Sequence, residues 1–190
     1  MLRRAGIVAG LALVSFGIGW LMFMAAPRWF TRPQKPVAAA PAPAPPAPPG
    51  RKIKAHLFYV SEDGMRLTSV ERDIAYGEGA LDQAREIIAA QIAPVAEPLV
   101  SAVPPGTTIR ALFLTEGGEA YVDLSREAAS SHTGGSLDEI LTIYTIVNAL
   151  TANLPAITTV QLLVEGKELD TLSGHIDLRR PLAKNLTWVQ

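Results

Sequence analysis

From Gly134 to Leu154 apolar side chains recur at Leu137, Ile140, Leu141, Tyr144, Val147 and Leu150, with Ile143 and Ile146 widening the stripe. That is the 3.6-residue period of an amphipathic helix, wide enough to predict a largely buried core element. Ser136 followed three residues later by Glu139 has the spacing of a capping box, and Pro155 supplies a stop. Lys52 to Val60 instead alternates, with Ile53, Ala55, Leu57 and Tyr59 set against Lys52, Lys54 and His56, as a half-buried strand does. Leu67 to Ile74 predicts a second, shorter strand. After Gly77 and Gly79, residues 80–92 place Leu81, Ala84, Ile87, Ile88 and Ile92 on one helical face, ended by Pro94 and Pro98. Thr107 to Thr115 and Ala120 to Leu124 read as strands around the Gly117-Gly118 hairpin signal. Thr159 to Val164, a Gly166 turn and an extended piece from Leu172 to Leu178 close the chain. The order predicts an α+β domain: one mixed β-sheet with two main helices packed on one face.

The amino-terminal part follows another pattern. Ala5 to Ala26 holds 22 residues without a charge, which at about 1.5 Å each reach roughly 33 Å, enough for a hydrocarbon core of about 30 Å. The run is longer than a usual signal-peptide core, and Met24-Ala25-Ala26 is a poor cleavage site, so an uncleaved transmembrane helix is expected. Trp20 and Trp29 stand where interfacial aromatics sit, while Gly6 and Gly10 are ordinary small residues of a span. Arg3 and Arg4 nearly balance Arg28, Arg32 and Lys35, so charge alone leaves the orientation open. Residues 33–50 contain eight of the 15 prolines and almost no apolar bulk. They predict an extended spacer reaching roughly 50 to 60 Å at about 3.1 Å per residue. The expected organisation is thus a stub and anchor over 1–30, a Pro/Ala-rich linker over 31–50 and one folded domain over 51–190.

Charge sharpens the division. Residues 1–50 carry five cations and no acid, whereas the remainder has 12 cations against 18 acids. A net acidic domain without a basic face argues against nucleic-acid binding. The chain has no cysteine, which excludes disulfides, thiolate metal sites and a lipid-modified cysteine.

Five pieces in order carry a family resemblance: Pro105-Gly106-Thr107, Ala120 to Ser125, Gly135-Ser136 with Glu139, Val164-Glu165-Gly166, and Thr171 to Asp177. Together they resemble the GerMN domain of sporulation and germination proteins, across nearly all of 51–190. The resemblance implies an extracytoplasmic, non-enzymatic α+β module, similar to the small ring-building domains of envelope assemblies. It also favours an inside amino terminus, with the domain outside the cytoplasmic (inner) membrane. The chain differs from better-known members in having an apolar anchor in place of a lipidated cysteine, and one domain copy where some have two.

The motif residues Gly106, Asp123, Ser125, Ser136, Glu139, Gly174, His175 and Asp177 are expected to be structural. The capping box accounts for Ser136 and Glu139, and Asp123 with Ser125 can cap the short turn after their strand. His175 and Asp177, two apart on an expected strand, face one side and form a hydrogen-bonded pair, since zinc would need more ligands than these two. His56 and His132 have no motif context. Thr133-Gly134-Gly135 lacks the preceding strand and following lysine of a phosphate loop. No catalytic, cofactor or metal site is expected. The partners that fit are envelope proteins or a second copy, with peptidoglycan as the alternative and a wall hydrolase as the third reading.

Overall fold

The computed structural model describes residues 50–190. The anchor expected within 1–30 and nearly all of the 31–50 linker lie outside the described residues. Among the described residues no helix is long and apolar enough to cross a membrane.

The first unit is a ribbon. β1 (Lys52–Val60) pairs antiparallel with β2 (Leu67–Ala75) in unbroken register, Lys52 opposite Ala75 and Val60 opposite Leu67. α1 (Gly79–Ile92) follows. β3 (Ile109–Leu114) and β4 (Glu119–Leu124) form the Gly-Gly hairpin, where Gly118 has φ +83° and a Cβ there would lie 2.5 Å from the Ala156 carbonyl oxygen. Only glycine suits that turn. A short α2 (Glu127–Ser130) and the long α3 (Ser136–Asn153) lead to β5 (Thr159–Val164), which lies parallel to β4. β6 (Lys167–Glu168) and β7 (Leu182–Ala183) add short antiparallel pairings to β5. The α+β class and the mixed sheet are therefore present, but the strands divide into two sheets, the β1–β2 ribbon and the β3–β4–β5 sheet with its β6 and β7 additions.

Side-chain chemistry explains the division. The edge of β1 that faces away from β2 is already satisfied. Gln91 on α1 accepts from Phe58 N–H at 2.8 Å and donates to Phe58 C=O at 2.8 Å. Asn153 on α3 does the same for His56, both distances 2.8 Å. The Val60 N–H donates to Val100 C=O at 2.8 Å. A carboxamide carries one donor group and one acceptor, so it replaces a neighbouring strand residue without a backbone. A third strand has no bond left to make at these positions. Asn148 uses the same device to hold the carboxy-terminal segment, accepting from Asn185 N–H and donating to Asn185 C=O.

α3 touches β1, α1, β5 and β7. Its Leu141, Ile143, Ile146, Val147, Ala149 and Leu150 are buried, and so are Thr145, Asn148 and Thr151. They meet Leu57, Ile87, Leu112, Val122, Val160 and Leu162 in one core.

The chain path creates two poles. Because β4 and β5 are parallel and α3 joins them, the α3 amino terminus lies at their carboxy-terminal ends. β1 runs beside α3 in the opposite sense: His56 meets Asn153 in the last turn, while Thr142 in the second turn bonds Ala102, near the Val60–Val100 bridge. The chain thus enters the domain, at Arg51, beyond the α3 carboxy terminus. The Arg51 guanidinium stacks there 3.6 Å from the Tyr76 ring centroid. An 18-residue helix, about 27 Å long, separates this entry pole from the pole carrying the motif residues.

Candidate functional site

At the motif pole two buried carboxylates each organise a loop. The first is Asp123 on β4. Its side chain is 8% exposed, its Oδ1 accepts from Gly166 N–H at 2.8 Å, and its Oδ2 lies 3.5 Å from Arg110 Nη1. Arg110 also reaches Glu165 at 3.7 Å, and Glu165 accepts from Arg126 N–H at 3.1 Å. Glu165 has φ +54°, a conformation unfavourable for a side chain; Asp123 on the next N–H and Arg110 on the Glu165 carboxylate hold that turn in place. Ser125 closes the neighbouring loop by accepting from Thr108 N–H at 3.0 Å. Its hydroxyl is the first cause holding the Glu127 carboxyl below the usual range. Gly106 turns the same loop with φ +83°. Neither Asp123 nor Ser125 caps α2, whose amino terminus has no side-chain cap bond. The expected cap is replaced by bonds between distant loops.

The second carboxylate is Glu139, with no side-chain exposure. Oε1 accepts from Leu172 N–H at 2.9 Å and Ser173 N–H at 2.8 Å. Oε2 accepts from His175 N–H at 2.9 Å and sits 2.9 Å from His175 Nδ1. Residues 172–175 therefore wrap the carboxylate, and Gly174, at φ +101° with its N–H on Thr171 Oγ1, permits the turn. Burial pushes the Glu139 carboxyl up, but the donors from Ser173, His175 and Ile176 outweigh it and hold the group below its ordinary value. It is an ionised anchor.

This arrangement corrects three expectations. There is no capping box: Gly135, at φ +93°, occupies the N-cap, and the amino terminus has no side-chain cap bond. Ser136 is exposed. Residues 172–178 are not a strand but a wrapped loop, because one buried anion collects backbone donors that a ladder would have used. His175 and Asp177 do not pair. His175 binds Glu139, whereas Asp177 forms an exposed bidentate pair with Arg179, Nε at 2.9 Å and Nη2 at 2.8 Å. The Arg179 side chain holds the Asp177 carboxyl far below the usual range.

His132, without motif context in the sequence, has a defined place. Its Nδ1 accepts from Gly134 N–H at 3.0 Å and its Nε2 faces Thr142 Oγ1 at 3.3 Å, so the proton lies on Nε2. Thr142 in turn donates to Ala102 C=O at 2.6 Å. The imidazole ties the α3 entry loop to Thr142, and the Thr142 hydroxyl ties α3 to the 100–105 segment. These residues border a cleft of about 300 Å³. Nothing in the sequence signals it, since Ala102, His132 and Thr142 are separated in the chain. Among the described residues no group of three or more His, Asp or Glu side chains is placed to hold a metal ion.

The family model Germane, described as sporulation and spore germination, matches residues 56–170, more than half of the chain. The chain belongs to this family. Its GerMN-type fold is similar to that of a Clostridium perfringens protein described as a lipoprotein, at 22% identity and a TM-score of 0.51, covering 70% of this chain and 88% of that one. It is also similar to the tandem GerMN domains of the sporulation protein GerM from Bacillus subtilis, at 18% identity and a TM-score of 0.54, covering 70% of this chain. The match spans 46% of that tandem, less than half its length. At these identities the likeness is one of fold. No curated protein matches the chain.

Proposed function

We propose that the chain is a non-enzymatic binding module of the cell envelope, held outside the cytoplasmic membrane by residues 5–26 and the Pro/Ala-rich linker, and docking a protein partner. The observation that carries it is the use of the motif carboxylates. Asp123 and Glu139 are buried and committed to backbone N–H groups, so they build surface loops and leave no free base facing a nucleophile. A general acid or base needs its reacting atom within reach of substrate. Loops on a rigid scaffold are what binding modules use. Membership of a family described as sporulation and spore germination, and the similarity to a protein described as a lipoprotein, support an envelope setting.

In-cell crosslinking of the full chain, with residues 1–50 alone as control, tests this. A partner captured only when residues 51–190 are present supports it. Identical captures from both would sink it.

A second reading has one observation in its favour. Phe113 is 59% exposed on the outer sheet face, directly opposite Tyr121, and such an aromatic pair suits stacking on peptidoglycan sugars. Co-sedimentation with sacculi that is lost in Phe113→Ala would favour it. A hydrolase, the third reading, requires zymogram activity from the intact protein.

A further inference from the structure

The cleft beside His132 lies at the motif pole but apart from both carboxylate-built loops. Val60, Val100, Val103 and Leu141 give it aliphatic walls, and His132 and Asp138 give it a polar one. Val100 is 55% exposed, and Met65, next to the lining residue Gly64, is 55% exposed. An uncovered apolar side chain, Val100, thus stands on the cleft wall, and Met65 is exposed beside the lining loop, a pattern that suits a contact site.

The charge around the opening is acidic. Asp138 is on the wall; Gly64 brings the 61–66 loop to the cleft, and Glu62 and Asp63 of that loop line a neighbouring pocket that shares Val60, with Arg66 the loop's one cation. His132 adds no charge in the bonding described, because its Nδ1 accepts a hydrogen bond. Asp63 is held ionised by the Ser61 hydroxyl and the Met65 N–H.

We propose that this cleft docks an extended segment of a protein partner in which an aliphatic side chain is flanked by Lys or Arg. The proposal rests on the binding-module function above and names its partner chemistry. The volume is at the lower end of the roughly 300–1,000 Å³ typical of ligand sites, room for an aliphatic side chain or two. No Phe, Tyr or Trp lines it, so a sugar lacks the usual stacking surface there. Acidic groups repel phosphates and select cations. A second copy offering the same cleft would set acid against acid. The chain enters the domain at Arg51, at the opposite pole.

The test places a photo-crosslinking residue at Val100 or, as a control face, at Phe113 in the full chain in its host cells, and sequences the captured peptides. The expected result is capture from position 100, and not from 113, of a Lys/Arg-flanked aliphatic segment of another protein. Adding Asp138→Asn should reduce capture about threefold, the effect of one exposed charge pair, and Asp138→Lys at least about tenfold, because repulsion replaces attraction. Capture of a segment without cations, of a second copy, or of residues 28–35 of the same chain would overturn the proposal. Silence at position 100 while lysine-reactive crosslinking of the unsubstituted chain still captures a partner through 51–190 overturns the cleft and leaves the binding module standing. Silence in both removes both.

Discussion

The edge of β1 and the 172–175 loop solve one problem in two ways. Each is a backbone stretch whose polar groups would be orphaned on burial, and each is satisfied by a helix side chain from far away in sequence. At β1 the agent is a neutral carboxamide, Gln91 or Asn153, that both donates and accepts. At the loop it is an ionised carboxylate, Glu139, that only accepts and therefore gathers only N–H groups. The first imitates a strand and ends a sheet. The second has no counterpart in regular structure, so the chain bends into a turn around it, and that turn is part of the surface offered at the motif pole.

Exchanging the two agents tests the difference. The largest effect is expected for Glu139→Ala, which leaves three N–H donors and the His175 ring without their acceptor. A buried donor left unsatisfied costs about 1 to 3 kcal/mol, so with three of them orphaned the domain loses at least about 3 kcal/mol. Urea unfolding followed by circular dichroism measures it, and a loss under about 1 kcal/mol would mean that water replaces the carboxylate freely. If the alanine variant does not fold, Glu139→Gln supplies the smaller step, because its amide group can face only half of these donors.

Next comes Gln91→Glu, which keeps shape and reverses chemistry. The carboxylate still accepts from Phe58 N–H but faces Phe58 C=O with a lone pair. Near neutral pH the cost should be about 2 to 3 kcal/mol, as for a buried group left without a proper partner. Protonation restores a donor, so the deficit relative to the unsubstituted domain should shrink in acid. A deficit independent of pH would refute the carboxamide account of the β1 edge.

The unsubstituted domain should respond to acid in the opposite sense at Glu139. Its folded carboxyl is held below the ordinary value of 4.5, so the folded state binds fewer protons than the unfolded one in that range. The stability it contributes is complete above the unfolded value and disappears as pH falls through the lowered folded value. Melting midpoints measured downward from about pH 5 should fall more steeply for the unsubstituted domain than for Glu139→Gln. Parallel curves would show that Glu139 is not ionised in the fold.

The same contrast shows what the sequence could reveal. The strands β1 to β5 and both main helices were legible, each within about two residues, because burial of one face imposes a period that single residues display. Gln91 and Asn153 were not, since a polar residue on a helix gives no sign that it ends a sheet, and the two-sheet division followed from them. Leu172, Ile176 and Leu178 imitate a strand, yet Glu139, 33 residues before Leu172, takes the donors that a strand would need. Asp123, Ser125 and Glu139 bond backbone groups of distant loops, contacts that sequence spacing cannot display.

Ser136 and Glu139 make that limit measurable, with the smallest expected effect. Their spacing fits a capping box, and in such a box Ser→Ala would cost about 0.5 to 2 kcal/mol. In the fold the Glu139 carboxylate is turned inward to the 172–175 loop, Gly135 holds the N-cap, and the exposed Ser136 hydroxyl makes no cap bond. Ser136→Ala should therefore change stability by no more than about 0.5 kcal/mol, as exposed substitutions do, and alanine's better helix propensity can make the change slightly favourable. A loss above about 1 kcal/mol in urea unfolding would restore the capping box and require Glu139 to divide its time between the helix start and the loop. An unchanged midpoint, beside a large loss in Glu139→Ala, would show that only one half of the apparent motif stabilises the domain, and that it acts on the other side of the core.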